Sequence, residues 1–263
     1  MLEGFTKRQF SAPLADGHRV SHDVYSQGTG PATIVIIQEL PGIGPETLSL
    51  ADVFLARGFR VVLPHLLGPL GKISMAGNLV RVFCMRRQFK LFEKNQSSPI
   101  VDWLKALCKS EQADDTARKI GVVGMCLTGN FALSLIADDS VLAAVASQPS
   151  LPFNDQNALH MSDNEIAAAR AQIDQKGSVL ALRFQGDPLC KAPKFAAIDQ
   201  AFNQDAQRVE LIELPGKGHS VLTLDLLKGG KPAQAALDSV LGYFESRLQK
   251  PEKRGLDSTA LKT

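Results

Sequence analysis

A cysteine sits in a setting made for a nucleophile. Cys126 lies in Lys119-Ile-Gly-Val-Val-Gly124-Met-Cys126-Leu-Thr-Gly129, which reads as a strand entering a helix through a sharp turn, the thiol version of the G-x-S-x-G nucleophile elbow. Gly124 and Gly129 leave room for that turn and for close packing of the following helix. A thiol attacks a carbonyl as its thiolate, so a base must take the proton. His219, in Leu214-Pro-Gly-Lys-Gly-His219-Ser, is the candidate base. Asp187, in Phe184-Gln-Gly-Asp187-Pro, is the candidate that holds the imidazole in the right tautomer; its alternative is a plain turn residue, since Gly-Asp-Pro is good turn chemistry. The remaining histidines, His18, His22, His65 and His160, read as surface or satisfied core residues.

Glu39 is the fourth candidate. It directly follows the apolar run Thr33-Ile-Val-Ile-Ile-Gln38, where a buried carboxylate costs several kcal/mol unless something pairs with it. The thiol is one candidate partner; the alternative is an ion pair or solvent at a strand end. In a hydrolase of this layout the backbone N–H groups of Leu40 and Leu127 form the oxyanion hole.

The elements that must hold these residues alternate between strand and helix. Strands are expected at Thr33 to Gln38, Arg60 to Leu63, Ile120 to Val123, Val141 to Ser147, Val179 to Phe184 and Val209 to Leu214. Helices are expected over Glu46 to Arg57, Pro99 to Leu107, Leu127 to Ala137, the stretch opened by the capping box Ser162-Asp-Asn-Glu165, Pro193 to Phe202, and the final stripe Ala236, Val240, Tyr243, Phe244, Leu248. Repeated βα units imply an α/β fold with a mainly parallel central sheet covered by helices on both faces. Ligands bind beyond the C-terminal strand ends of such sheets, and Glu39, Cys126, Asp187 and His219 all fall there. Residues 1–249 are expected to form one domain and 250–263 a loose polar tail.

Composition narrows the classes. A chain of 263 residues, 44% of them hydrophobic, can bury a large core. Its net charge of +2 argues against nucleic acid or an anionic membrane as the partner and leaves small molecules. No run is apolar for long enough to suggest a membrane helix, and no basic leader is evident, so a cytoplasmic location is expected. The cysteines Cys84, Cys108, Cys126 and Cys190 lack C-x-x-C spacing. They are expected to be reduced, with no dedicated metal site and no cofactor.

Gln38-Glu39, Gly124-Met-Cys126-Leu-Thr-Gly129, Gly186-Asp187 and Gly218-His219-Ser220 together resemble the dienelactone hydrolase family, the Cys-dependent branch of the α/β-hydrolase fold. The resemblance runs from about Ile34 to Phe244. It implies a Cys126–His219–Asp187 triad, with Glu39 hydrogen-bonded to the resting thiol and displaced when substrate binds. It also implies a thioester at Cys126, formed from an ester or lactone and hydrolysed by water with His219 as base. Dienelactone-hydrolysing members hold the substrate carboxylate with two arginines. One lies four residues after the catalytic His, where this chain has Thr223; the other corresponds to Arg86 or Arg87, which otherwise read as solvated helix-face charges. The stretch from Gln148 to Gly177 is a candidate lid.

Three readings compete. The leading one is a hydrolase of a small ester or lactone, with an acidic group on the substrate as one option. The second keeps the site but acts on thioesters or activated amides. The third is a non-catalytic thiol sensor or ligand-binding protein in which Cys126 is oxidised or occupied.

Overall fold

The computed structural model describes residues 2–14, 16–72, 77, 95–113 and 115–249. Arg86, Arg87, Cys84 and the expected tail, 250–263, lie outside the described residues. Eight strands form one sheet: β1 (Thr6–Pro13), β2 (Arg19–Gln27), β3 (Ala32–Ile37), β4 (Arg60–His65), β5 (Lys119–Met125), β6 (Val141–Ser147), β7 (Val179–Phe184) and β8 (Val209–Leu214), in the order β1-β2-β4-β3-β5-β6-β7-β8. From β4 to β8 every pairing is parallel, whereas β1 pairs with β2 and β2 with β4 antiparallel.

The described helices are α1 (Pro45–Ala56), α2 (Ile100–Ala113), α3 (Gly129–Leu135), α4 (Asp163–Lys176), α5 (Ala192–Phe202), the short α6 (Leu224–Leu227) and α7 (Lys231–Phe244). The central strands are buried on both faces, so their residues divide between two cores. Val35 and Ile37 of β3 join the residues of α2, α3, α4 and α5, while Ile34 and Ile36 face those of α1 and α7. This is why β3 is an unbroken β-branched run: both faces are dry, and each such side chain contributes about 1.5–3 kcal/mol on burial.

Helix ends follow local chemistry. The Ser162 side chain accepts from the Glu165 N–H while Glu165 reaches back to the Ser162 N–H, so the expected capping box opens α4. The helix expected to start at Leu127 instead begins with a 3₁₀ turn, Cys126–Thr128, before α3. α7 closes through a π-helical turn, Glu245–Gln249.

The hairpin β1–β2 is an addition to the elements expected from the sequence. Its strands alternate exposed and covered residues, and β1 forms one edge of the sheet. Glu111 of α2 is fully buried and accepts from Arg8 of β1 at 2.7 Å and from Arg60 of β4 at 3.2 Å, tying the hairpin to the helix layer. Among the described residues no helix is long and apolar enough to cross a membrane.

Candidate active site

Cys126 is the first residue after β5 and takes φ +56°, the left-handed conformation that a non-glycine residue enters only at a cost of about 1–3 kcal/mol. The turn departs from G-x-S-x-G spacing, because position 128 is Thr and the glycine comes one residue later. The Thr128 hydroxyl accepts from the Met125 N–H at 3.0 Å and lies 2.9 Å from the Met125 carbonyl and 3.2 Å from those of Ile37 and Gln38. Thr128 therefore staples the elbow to the end of β3. Both flanking glycines are demanded by close approach: a Cβ at Gly124 would sit 2.2 Å from the Thr128 carbonyl oxygen, and one at Gly129 would sit 2.7 Å from the Cα of Pro149.

His219 and Asp187 come together from the loops after β8 and β7. The imidazole Nδ1 lies 2.9 Å from each Asp187 carboxylate oxygen. Asp187 Oδ1 also accepts from the backbone N–H groups of Leu189 and Cys190, at 2.8 Å each. Burial by itself would lower the His219 pKa, but Asp187 and Cys126, through hydrogen bonding and charge, outweigh it and raise the imidazole to about 10. The buried Nε2 meets no partner at full hydrogen-bond geometry. Cys126 is the neighbour that bears on the ring from beyond Asp187.

Two side chains shape these loops without touching the sulfur. Asp225 accepts from the backbone N–H of His219 at 2.9 Å and of Ser220 at 3.0 Å. Its carboxylate comes so close to Gly218 that a Cβ there would lie 2.5 Å from Oδ2. Arg183, buried in β7, donates to the carbonyls of Phe184 at 3.0 Å, Gln185 at 3.2 Å and Cys190 at 3.3 Å, bracketing the segment that carries Asp187.

Glu39 reaches the same rim but not the sulfur. Its carboxyl is completely buried and accepts from Thr223 Oγ1, from Ser220 Oγ at 3.0 Å and from Gln148 Nε2 at 3.4 Å. Burial pushes its pKa up, with Thr223, His219 and Ser220 pulling only part of the way back. The hydrogen bond expected between Glu39 and the thiol is thus replaced by hydrogen bonds to two hydroxyls and an amide. Thr223, at the position where the resemblance implies an arginine, is spent on Glu39. The hydrogen-bonding neighbour of the thiol is Ser150, with Oγ 3.5 Å from Sγ. Gln38, beside Glu39, accepts from the Leu66 N–H at 2.9 Å and donates to the Leu67 carbonyl at 2.9 Å, fixing the loop after β4. Leu40 follows Glu39, and Leu127 is buried within the elbow turn.

The first part of the candidate lid, up to Ala158, is anchored to the core. Ser150 and Leu151 are fully buried, and Phe153 packs on the core. Lys194 of α5, itself buried, donates to the carbonyls of Leu151 at 2.9 Å, Asp155 at 3.2 Å and Ala158, while Asn130 Nδ2 donates to Leu151 O at 2.8 Å. Burial lowers the Lys194 pKa to about 8.

Gln148, Ser150, Arg183, Ser220 and Asp225 are therefore site residues that spacing alone does not single out. Only Ser220, through Gly-His-Ser, carries a local signal. His219 faces a pocket of about 570 Å³, also lined by Gly186, Pro188, Lys217, Leu224 and Lys228. A larger recess of about 820 Å³ between α4 and α5 is lined by none of the candidate residues; of the candidate triad only His219 lines the smaller pocket, while Cys126 and Asp187 lie buried beside it.

The family model for the dienelactone hydrolase family matches residues 24–244. No curated protein sequence is significantly similar to the chain. Among solved structures, an esterase of Pyrococcus furiosus is 12% identical, with a TM-score of 0.62 over 93% of this chain and 92% of that one. A dienelactone hydrolase from Anabaena variabilis is 15% identical, with a TM-score of 0.57 over 94% and 100%. A dienelactone hydrolase-like promiscuous phosphotriesterase from metagenomic libraries is 17% identical, with a TM-score of 0.61 over 93% and 99%. At these identities the likeness is one of fold.

Proposed function

Because the chain belongs to the dienelactone hydrolase family, and is thereby a hydrolase of ester or lactone bonds, we propose that it works through a Cys126–His219–Asp187 triad and a thioester acyl-enzyme on a small ester or lactone. The observation that carries this reading is the imidazole held between both Asp187 oxygens, with Nε2 otherwise unpartnered and the Cys126 sulfur bearing on it.

In the proposed cycle the sulfur attacks the carbonyl carbon as thiolate, its proton having passed to Nε2. The carbonyl oxygen takes negative charge against the backbone N–H groups of Leu40 and Leu127. The tetrahedral adduct collapses by breaking the C–O bond, and the leaving alcohol or enol takes the proton from Nε2. Water then attacks the thioester with His219 as base, and the C–S bond breaks to return the thiolate. Asp187 stabilises the imidazolium throughout, which is the role its contact with Nδ1 supports. Glu39 acts as a positioning residue: through Ser220 and Thr223 it holds the segment following His219.

The test is a panel of aryl esters, enol lactones and acyl thioesters with mass analysis of the enzyme. Wild type should hydrolyse at least one ester or lactone and carry its acyl group on Cys126, and Cys126→Ala should lose about a thousandfold or more in kcat. Full activity in Cys126→Ala would reject the mechanism, and a preference for thioesters alone would reject the substrate class.

A further inference from the structure

The resting nucleophile is clasped from one residue at two points. The Ser150 backbone N–H donates to the Cys126 carbonyl at 3.1 Å, and the Ser150 hydroxyl lies 3.5 Å from the Cys126 sulfur. Both residues are buried. Ser150 cannot drift, because the next residue, Leu151, has its carbonyl fixed by Asn130 and Lys194. The side chain of Glu39, by contrast, makes its hydrogen bonds to Thr223, Ser220 and Gln148.

We infer that Ser150 is a further catalytic residue, whose hydroxyl donates a hydrogen bond to the Cys126 sulfur when that sulfur carries negative charge. The inference rests on the triad reading above and assigns the sulfur a second stabilising partner beside the imidazole. When the thiol proton passes to His219 Nε2, the sulfur becomes an anion and accepts from the Ser150 O–H; a hydrogen bond to an ionised acceptor is roughly twice as strong as a neutral one. The bond weakens as the S–C bond forms and the sulfur loses its charge. It is remade during deacylation, when the C–S bond breaks and the electron pair returns to sulfur. Ser150 gains and loses no proton in either half-reaction. It therefore serves the sulfur as attacking group and as leaving group, while the oxyanion donors serve the carbonyl oxygen.

The ionisable groups around the sulfur are His219, with Asp187 behind it, and Cys190, whose thiol is raised by burial first and by Asp187, with Cys126 adding. Glu39 acts on His219 by charge rather than on the sulfur by hydrogen bonding. Removing the Ser150 hydroxyl leaves all of these in place, together with the backbone N–H that holds the elbow.

The experiment measures Cys126 alkylation by iodoacetamide across pH, with ester hydrolysis, in wild type, Ser150→Ala, Ser150→Thr and Cys126→Ala; thermal melts confirm folding. In Ser150→Ala the alkylation profile should move to higher pH by about one unit and kcat should fall roughly tenfold, the size of one lost charge-assisted hydrogen bond. Ser150→Thr, which keeps the hydroxyl, should recover most of the shift in the profile. A Ser150→Ala protein that melts as wild type does, with an unchanged profile and rate, would overturn the inference while leaving the triad intact if Cys126→Ala is dead. An equal shift in Ser150→Ala and Ser150→Thr would also overturn it, since the effect would then follow packing rather than the hydroxyl. An active Cys126→Ala would instead overturn the triad reading itself.

Discussion

Two buried carboxyl groups stand at the same end of the sheet and are used in opposite ways. Asp187, on the loop after β7, accepts from two backbone N–H groups and presents both oxygens to an imidazole raised to about 10. Glu39, at the end of β3, accepts from Ser220, Thr223 and Gln148, and burial drives its carboxyl toward the neutral form. Proximity to the proposed nucleophile therefore does not decide what a buried acid does. The donors around it do: a cation rewards charge, whereas hydroxyls and an amide can satisfy either protonation state.

The sharpest way to break this contrast is to neutralise each acid in turn. Asp187→Asn should lower kcat/KM by roughly 10⁴, because the amide cannot hold the imidazolium or select its tautomer. A loss of tenfold or less would mean that Asp187 is only a turn residue. Glu39→Gln should cost no more than about tenfold in kcat/KM. It should also change stability in a pH-dependent way. An acid whose pKa is raised on folding holds its proton in the folded state after the unfolded chain has released its own, so its contribution falls as pH rises from about 4.5 through the folded value. Melting temperatures measured from pH 5 to 8 should therefore move in favour of Glu39→Gln relative to wild type as pH rises; a gap constant with pH would show that the carboxyl is not desolvated as described. The smallest effect is expected from Thr223→Val. Loss of one donor to a buried carboxyl should cost about 1–3 kcal/mol, read in a denaturant titration, with the Asp187–His219 pair untouched and kcat within a few-fold. A drop in kcat as large as that of Asp187→Asn would show that the two acids form one unit after all.

Much of this arrangement can be read from the chain before folding. Unbroken β-branched runs such as Ile34 to Ile37 mark doubly covered strands, Ser162 and Glu165 mark a helix start, and the βα alternation places Glu39, Cys126, Asp187 and His219 at one rim. The hairpin β1–β2 is harder to see because its strands carry Arg8, Gln9, Ser21 and Asp23 among few apolar residues, and part of what fixes it is distant: Glu111, about a hundred residues on, grips Arg8. The role of Thr128 is hidden because its hydroxyl replaces a glycine's freedom with a staple to β3. Ser150 and Gln148 are illegible for another reason: both lie in the turn after β6, with nothing local to show that this turn passes Cys126. Glu39 illustrates the limit most clearly. That it needs a partner follows from burial alone, but which partner it finds depends on a loop more than 180 residues away.

The left-handed backbone at Cys126 has a wider consequence. Folding alone would favour glycine there, since glycine enters that conformation without steric conflict. Any β-carbon at this position is a standing handicap to the native state, which the proposed nucleophilic role of Cys126 would account for and architecture does not. On the proposed mechanism stability and turnover are set against each other at a single atom, so selecting variants for heat resistance alone should drain reactivity from this turn first.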